Sequence, residues 1–164
     1  MKDYNLEIVW QKDKSAIKQE LIDFWRSEDI IFPDEVAEER INQLVMIARD
    51  PAGTIIGVCT ARIAYIEHLI NNFYYFRSYV GEKYRSQGLA FDFTVQTRKF
   101  FNQLFQDGIE TKVIGVFMEI ENEQLKRRNK AVWESGQDWN FYFVGMDSKG
   151  NHLRVSYFEN TYIS

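Results

Sequence analysis

The 164 residues carry a net charge of −4, with 45% hydrophobic and 27% charged side chains. That balance describes a folded globular chain able to bury a core, and it excludes a disordered one. The lack of a long basic block argues against a nucleic-acid partner, and no apolar run reaches the roughly eighteen residues of a membrane span.

Asn5–Trp10 alternates as a first strand. From Ser15 a helix is predicted, with Ile17, Leu21, Phe24 and Trp25 on one face. Pro33-Asp34 opens a second helix, with Asp34 as N-cap and Val36, Ala37, Ile41 and Leu44 on its buried side. Val45–Arg49 and Thr54–Ile66 read as a hairpin across the turn Asp50-Pro51-Ala52-Gly53. After the polar break at Glu67-His68 and Asn71-Asn72, Phe73–Val80 is a strand with aromatics on both faces, as in a covered central strand. A helix over Gly88–Asp107 follows, its face marked by Leu89, Phe93, Gln96, Phe100 and Leu104, widened by Phe101 and Phe105. Lys112–Glu121 is a strand, Asn122 leads a charged helix through Ser135, and Asn140–Met146 pairs with Leu153–Phe158 across Asp147–Asn151. Neither an internal repeat nor a linker interrupts this order, which predicts one mixed α/β domain over residues 1–164.

One stretch combines strand end, loop and helix start: Tyr79-Val80-Gly81-Glu82-Lys83-Tyr84-Arg85-Ser86-Gln87-Gly88-Leu89-Ala90. The first turn of a helix carries partial positive charge, and small residues let an anion approach its amides. Taken alone, the stretch fits both an anion site and an ordinary strand-to-helix turn in which Gly88 serves only the backbone.

Loop and element order together resemble the GNAT superfamily of acetyl-CoA-dependent N-acetyltransferases. The family's Arg/Gln-x-x-Gly-x-Gly/Ala pattern stands here as Arg85-Ser86-Gln87-Gly88-Leu89-Ala90, preceded by Val80 and Tyr84 at the family's spacing. The resemblance implies an α/β fold with a mostly antiparallel, mixed sheet of about seven strands, its fourth and fifth strands splayed, and four flanking helices. It implies acetyl-CoA as co-substrate and no metal. The backbone of Gln87, Gly88, Leu89 and Ala90, with Ser86 beside it, would hold the pyrophosphate. Arg85 would shape the loop or meet a phosphate, and Tyr79 and Val80 would bond the pantetheine arm. Asn122 and Asn129 occupy the fourth-helix positions that face the coenzyme in relatives. The implied reaction moves an acetyl or short acyl group to the primary amine of a small molecule. Many relatives form homodimers, and the sequence is compatible with that.

An amine must be neutral to attack a thioester, which for a lysine-like group costs roughly 4–5 kcal/mol at pH 7, so a base is needed. Phe73–Val80 contains no carboxylate. Glu119 and Glu121 share a face of the next strand, and Glu119 is the candidate base, with a solvated strand end as the plain alternative for Glu121. The family's fourth-helix tyrosine is missing: Asn129 or Trp133 stands in its place, and Tyr142 or solvent would have to donate the proton. That departure keeps a second reading open, a catalytically weak or inactive acyl-CoA-binding module. A third takes the loop as a plain turn in an interaction domain. Cys59, the only cysteine, reads as a small buried side chain, and His68 and His152 lack metal-ligand spacing. One cysteine and no secretory N-terminus fit a cytoplasmic chain. Lys126-Arg127-Arg128-Asn129-Lys130 reads as a solvated basic face, with contact to the coenzyme's 3′-phosphate as the alternative.

Overall fold

The computed structural model describes residues 2–133 and 139–163. In chain order the elements are β1 (Asn5–Ile8), α1 (Lys18–Ser27), α2 (Asp34–Asn42), β2 (Leu44–Arg49), β3 (Ile55–Ile66) and β4 (Asn71–Val80). There follow α3 (Leu89–Gln106), β5 (Val113–Ile120), α4 (Glu123–Arg128), β6 (Tyr142–Met146) and β7 (His152–Tyr157). Short 3₁₀ turns span Glu67–Leu69 and Glu82–Gln87. The seven strands form one mixed sheet in the order β1-β2-β3-β4-β5-β7-β6, so the α/β class and strand count expected from the sequence hold. β4 and β5 run parallel, and their registered pairs end at Phe76↔Met118, while β4 runs on to Val80 and β5 to Ile120.

The chain divides into two compact units: residues up to Ala61 with Ser78–Phe93, and Arg62–Arg77 with Thr94 onward. In the first, the apolar stripe of α1 supplies Leu21, Phe24 and Trp25 to a core with Val9, Ile41, Leu44, Ile47, Ile55 and Val58, against which Tyr79 packs. Asp34 does not cap α2: Pro33 holds the N-cap position at φ −54° without a side-chain bond, and Asp34 enters the first turn. Leu44 belongs to β2 rather than to that helix. The backbone leaves the helix at Gln43, whose carbonyl accepts the Ala61 N–H at 2.9 Å and draws the chain into the sheet.

In the second unit, Phe73, Tyr75, Ile114, Phe117, Leu153 and Val155 form one cluster. Tyr74 points the opposite way along β4 and stacks on Phe101 of α3, centroids 3.7 Å apart. Leu89, Phe93 and Phe101 of the expected α3 face are fully buried, whereas Gln96 is exposed. The buried Arg98 also lies on the inner side, its guanidinium donating from Nε to Ser156 Oγ at 3.0 Å and from Nη2 to Tyr157 O at 3.1 Å. The fourth helix ends at Arg128, short of the predicted Ser135; Glu134 and Ser135 lie outside the described residues. Its early end has a cause. Arg154, buried in β7, donates to Asn129 O at 2.7 Å and Ala131 O at 3.0 Å, and Val132 O accepts from Phe143 N at 2.9 Å. Carbonyls bound to a guanidinium and a strand cannot continue a helical ladder.

Two stability predictions arise here. A Cβ at Gly115 of β5 would lie 2.4 Å from Ser156 O of the adjacent backbone. Gly115→Ala is therefore expected to destabilise by about 1–3 kcal/mol, read as a lower urea midpoint at unchanged slope. Burial, then the nearby Glu110 charge, pushes the Tyr74 phenol up to about 12. An acid whose folded pKa is raised adds stability that is intact below its unfolded value and lost as pH climbs through the folded one. The urea midpoint is thus expected to fall between about pH 10 and 12. A flat profile across that window would contradict the burial of this phenol.

Candidate functional site

The end of β4 is fixed before the loop begins. Gly81 N–H donates to Ile56 O at 2.9 Å, and a Cβ at Gly81 would come within 3.0 Å of Glu28 Oε1 and 3.2 Å of Ile56 O. A side chain there would require these neighbours to give by a few tenths of an ångström. The Glu28 carboxylate, from the segment between α1 and α2, accepts the Glu82 N–H at 2.9 Å and receives the Tyr79 hydroxyl at 3.4 Å. It thereby caps the 3₁₀ turn that carries Glu82–Gln87.

Arg85 turns back onto the strand. Its Nε donates to Val80 O at 3.1 Å, its Nη2 to the Tyr79 hydroxyl at 3.0 Å, and its guanidinium carbon lies 5.5 Å from the Tyr79 ring centroid. Of the two roles open to Arg85, the geometry displays loop shaping. Ser86, Gln87 and Gly88 are exposed, and Gly88 adopts φ +79°, ψ 8°. Asp92 N–H closes the first α-turn onto Gly88 O at 3.0 Å. Leu89 is fully buried, and both Leu89 and Phe93 lie so close to Gly57 that a Cβ there would meet them at 3.0 and 3.1 Å. Gln87–Ala90 is thus anchored from beneath by packing while its outer side stays open: a Cβ at Gly88 would touch nothing within 4 Å.

One acid in the first turn of α3 would oppose an anion. Asp92 is countered by Lys2 Nζ at 2.6 Å and by the Tyr4 hydroxyl at 2.5 Å. Burial, reinforced by Asp92, pushes the Tyr4 phenol well above its ordinary value, so it remains a proton donor to that carboxylate.

The candidate base lies in the second unit. Glu119 is half-buried on β5, opposite Leu153 and one residue past the last β4–β5 pair. Its charge reaches the phenol of Tyr75, which is pushed up chiefly by burial, then lowered by Arg77 and raised by Glu119. The guanidiniums of Arg62 and Arg77 lie 4.8 and 5.0 Å from the Tyr75 centroid. Tyr142 stands on the edge strand β6, with β7 between it and β5, its exposed ring stacked 6.0 Å from Trp133. Asn122 caps α4, accepting from Gln124 N at 2.9 Å and Leu125 N at 3.1 Å, and the Asn129 carbonyl is held by Arg154. Glu121 is exposed and Cys59 buried.

Sequence reasoning missed Glu28, Tyr75 and the Lys2–Tyr4–Asp92 cluster. The first lies between the two predicted helices, the second is one of the aromatics of a covered strand, and the third joins residues about ninety positions apart. Among the described residues no group of three His, Cys, Asp or Glu side chains could hold a metal ion, and no helix is long and apolar enough to cross a membrane.

No family model matches the sequence and no curated protein is similar to it. Solved structures are similar in three dimensions. NAA60 of Arabidopsis thaliana in complex with acetyl-CoA superposes with TM-score 0.60 at 16% identity, covering 94% of this chain and 99% of that one. This is the GNAT fold. An acetyltransferase of the GNAT family from Streptococcus pneumoniae gives TM-score 0.60 at 12% identity over 94% and 99% of the two chains. The GNAT-family N-acetyltransferase YhbS of Escherichia coli, in complex with CoA, gives 0.61 at 14% over 96% and 82%. Arg85–Gly88 stands between β4 and α3, and Leu89 and Ala90 open that helix.

Proposed function

We propose that this chain, as a single catalytic domain, is an acetyl-CoA-dependent N-acetyltransferase acting on the primary amine of a small molecule. The observation that carries the reading is the loop. Gly88 sits in the left-handed region at the head of α3 with open space where a side chain would be, and the backbone beside it is pinned by Leu89. Such a cradle suits a pyrophosphate. Ser86, Gln87, Gly88, Leu89 and Ala90 would hold it, and Asp92 does not oppose it because Lys2 and Tyr4 counter its charge. The Val80 carbonyl already accepts from Arg85, so bonds to a pantetheine arm fall to the remaining backbone groups of Tyr79 and Val80, with Asn122 and Asn129 further along the coenzyme. Acetyl-CoA supplies the acyl group as a thioester.

Glu119 accepts the proton that an ammonium must lose before it can attack. The neighbouring Tyr75 phenol feels this carboxylate electrostatically, and a carboxylate base serves an amine acceptor. Tyr142 is the candidate donor to the leaving thiolate, alongside solvent. Calorimetric titration with acetyl-CoA, followed by thiol release across a panel of primary amines, tests the proposal; neither binding nor release would overturn it.

A second reading has its own support. The positions where relatives carry the fourth-helix tyrosine hold Asn129, tied through its carbonyl to Arg154, and Trp133, stacked on Tyr142. A protein that binds acetyl-CoA tightly but releases no thiol with any amine would be an acyl-CoA-binding module on this fold.

A further inference from the structure

Glu123, Lys126 and Arg127 share one side of α4 at helical spacing, and Lys130 follows two residues beyond its end. The β6–β7 turn contributes Lys149, Gly150 and His152, and the seven residues line a hollow of about 450 Å³. The chain as a whole has 24 acidic and 20 basic side chains. This hollow reverses that balance, with Lys126, Arg127, Lys130 and Lys149 against Glu123 alone.

The single carboxylate is already engaged. Glu123 pairs with Lys126, whose ammonium also donates to Gly150 O at 3.1 Å and whose side chain is 11% exposed. That arrangement fixes one cation in the wall and leaves Arg127, Lys130 and Lys149 as excess charge. His152 packs its ring edge-on against Phe143, centroids 5.4 Å apart, and its Nδ1 is buried with no hydrogen-bond partner. Like charges gathered in one hollow repel unless an anion joins them. Mobile lysine heads suit phosphate oxygens, which they meet as point charges without a demanding geometry. Among the described residues no Phe, Tyr or Trp lines the hollow, and the His152 ring is already packed against Phe143, so the hollow offers little stacking surface for a nucleobase. Its volume lies in the range of small-molecule sites.

We propose that this hollow binds a small phosphate-bearing ligand, either an inorganic polyphosphate or a sugar phosphate, recognised by its charge. None of the lining residues belongs to Tyr79–Ala90, so the proposal stands whether or not that loop binds coenzyme A.

The test titrates inorganic pyrophosphate and glucose 6-phosphate calorimetrically into the full chain. The variants are a Lys130→Glu/Lys149→Glu double variant, a milder Lys130→Gln/Lys149→Gln one, and Gly88→Asp. Both lysines are exposed, and circular dichroism verifies the fold of each variant. At least one probe is expected to bind. Charge reversal should weaken it about tenfold or more and neutralisation less, while Gly88→Asp should retain it. Preference for one probe identifies the source of the phosphate. Failure of both probes, equal binding by the double variants, or loss in Gly88→Asp alone would overturn the proposal. So would displacement of the probe by single-stranded RNA. Coenzyme A and dephospho-CoA complete the set: a double variant weakened only toward the former would assign the hollow to the coenzyme's 3′-phosphate and remove the separate site.

Discussion

Replacing Gly88 by aspartate is expected to abolish detectable acetyl-CoA binding while the protein stays folded. The two consequences separate because of where Gly88 sits. A Cβ there meets no atom within 4 Å, so the folded state suffers no clash. It bears only the strain of a side chain at φ +79°, about 1–2 kcal/mol, and aspartate is among the residues that tolerate this region best. For a chain of this size that is a drop of about 2–8 °C in Tm. Binding suffers far more. The new carboxylate would occupy the open side of the cradle and place negative charge where a pyrophosphate would lie. Charge-assisted bonds contribute roughly 1.5–3 kcal/mol each, so losing one or two and adding repulsion should weaken acetyl-CoA at least about 100-fold, ~2.7 kcal/mol. Calorimetry alongside thermal unfolding measures both. A variant that binds as well as the parent would show that the loop is only a turn.

The element order was legible because each signal was local. The spacing of Leu21, Phe24 and Trp25, the Asp50–Gly53 turn and the aromatic run of β4 each specify a segment without reference to the rest. The loop was legible for a related reason: Arg85-Ser86-Gln87-Gly88-Leu89-Ala90 is contiguous, and its glycine does adopt the left-handed conformation. Legibility ended where a single distant side chain decides the outcome. The periodicity after Asn122 reads as a long helix, yet Arg154, about twenty-five positions on, takes the carbonyls that would extend it. The expected α3 face includes Gln96, yet Gln96 is exposed and Arg98, reaching Ser156 and Tyr157, is buried in its stead. The candidate site divides along the same line. Its loop backbone is local, but Glu28 under the 3₁₀ turn, and Tyr4 and Lys2 on Asp92, are pairings that only the folded chain creates. Binary patterning carries no information about them, because each is a polar group whose partner could have been any other donor or acceptor.

Changing Glu119 to glutamine is expected to lower acetyl transfer about 10²–10⁴-fold, the range for loss of a positioned general base, with acetyl-CoA affinity unchanged. The carboxylate lies on β5 immediately beyond Met118, the last residue paired with β4, and it is half-buried, which keeps its neighbours in place while leaving it reachable. Glutamine preserves shape and a hydrogen-bond acceptor but cannot take a proton from an ammonium. Tyr75→Phe should act more weakly, within about tenfold: it removes a phenol within electrostatic reach of Glu119 and leaves the base itself. A double variant no slower than Glu119→Gln alone would show that Tyr75 works through the carboxylate. Tyr142→Phe is the contrasting test of the candidate donor. Its ring is exposed, stacked on Trp133 and separated from β5 by β7, so solvent protonation of the thiolate predicts a rate within about twofold of the parent, whereas a donor role predicts a loss in the general-acid range. Thiol-release rates at saturating acetyl-CoA distinguish these outcomes, and undiminished turnover in Glu119→Gln would remove Glu119 from the reaction while leaving the role proposed for the Arg85–Ala90 loop intact.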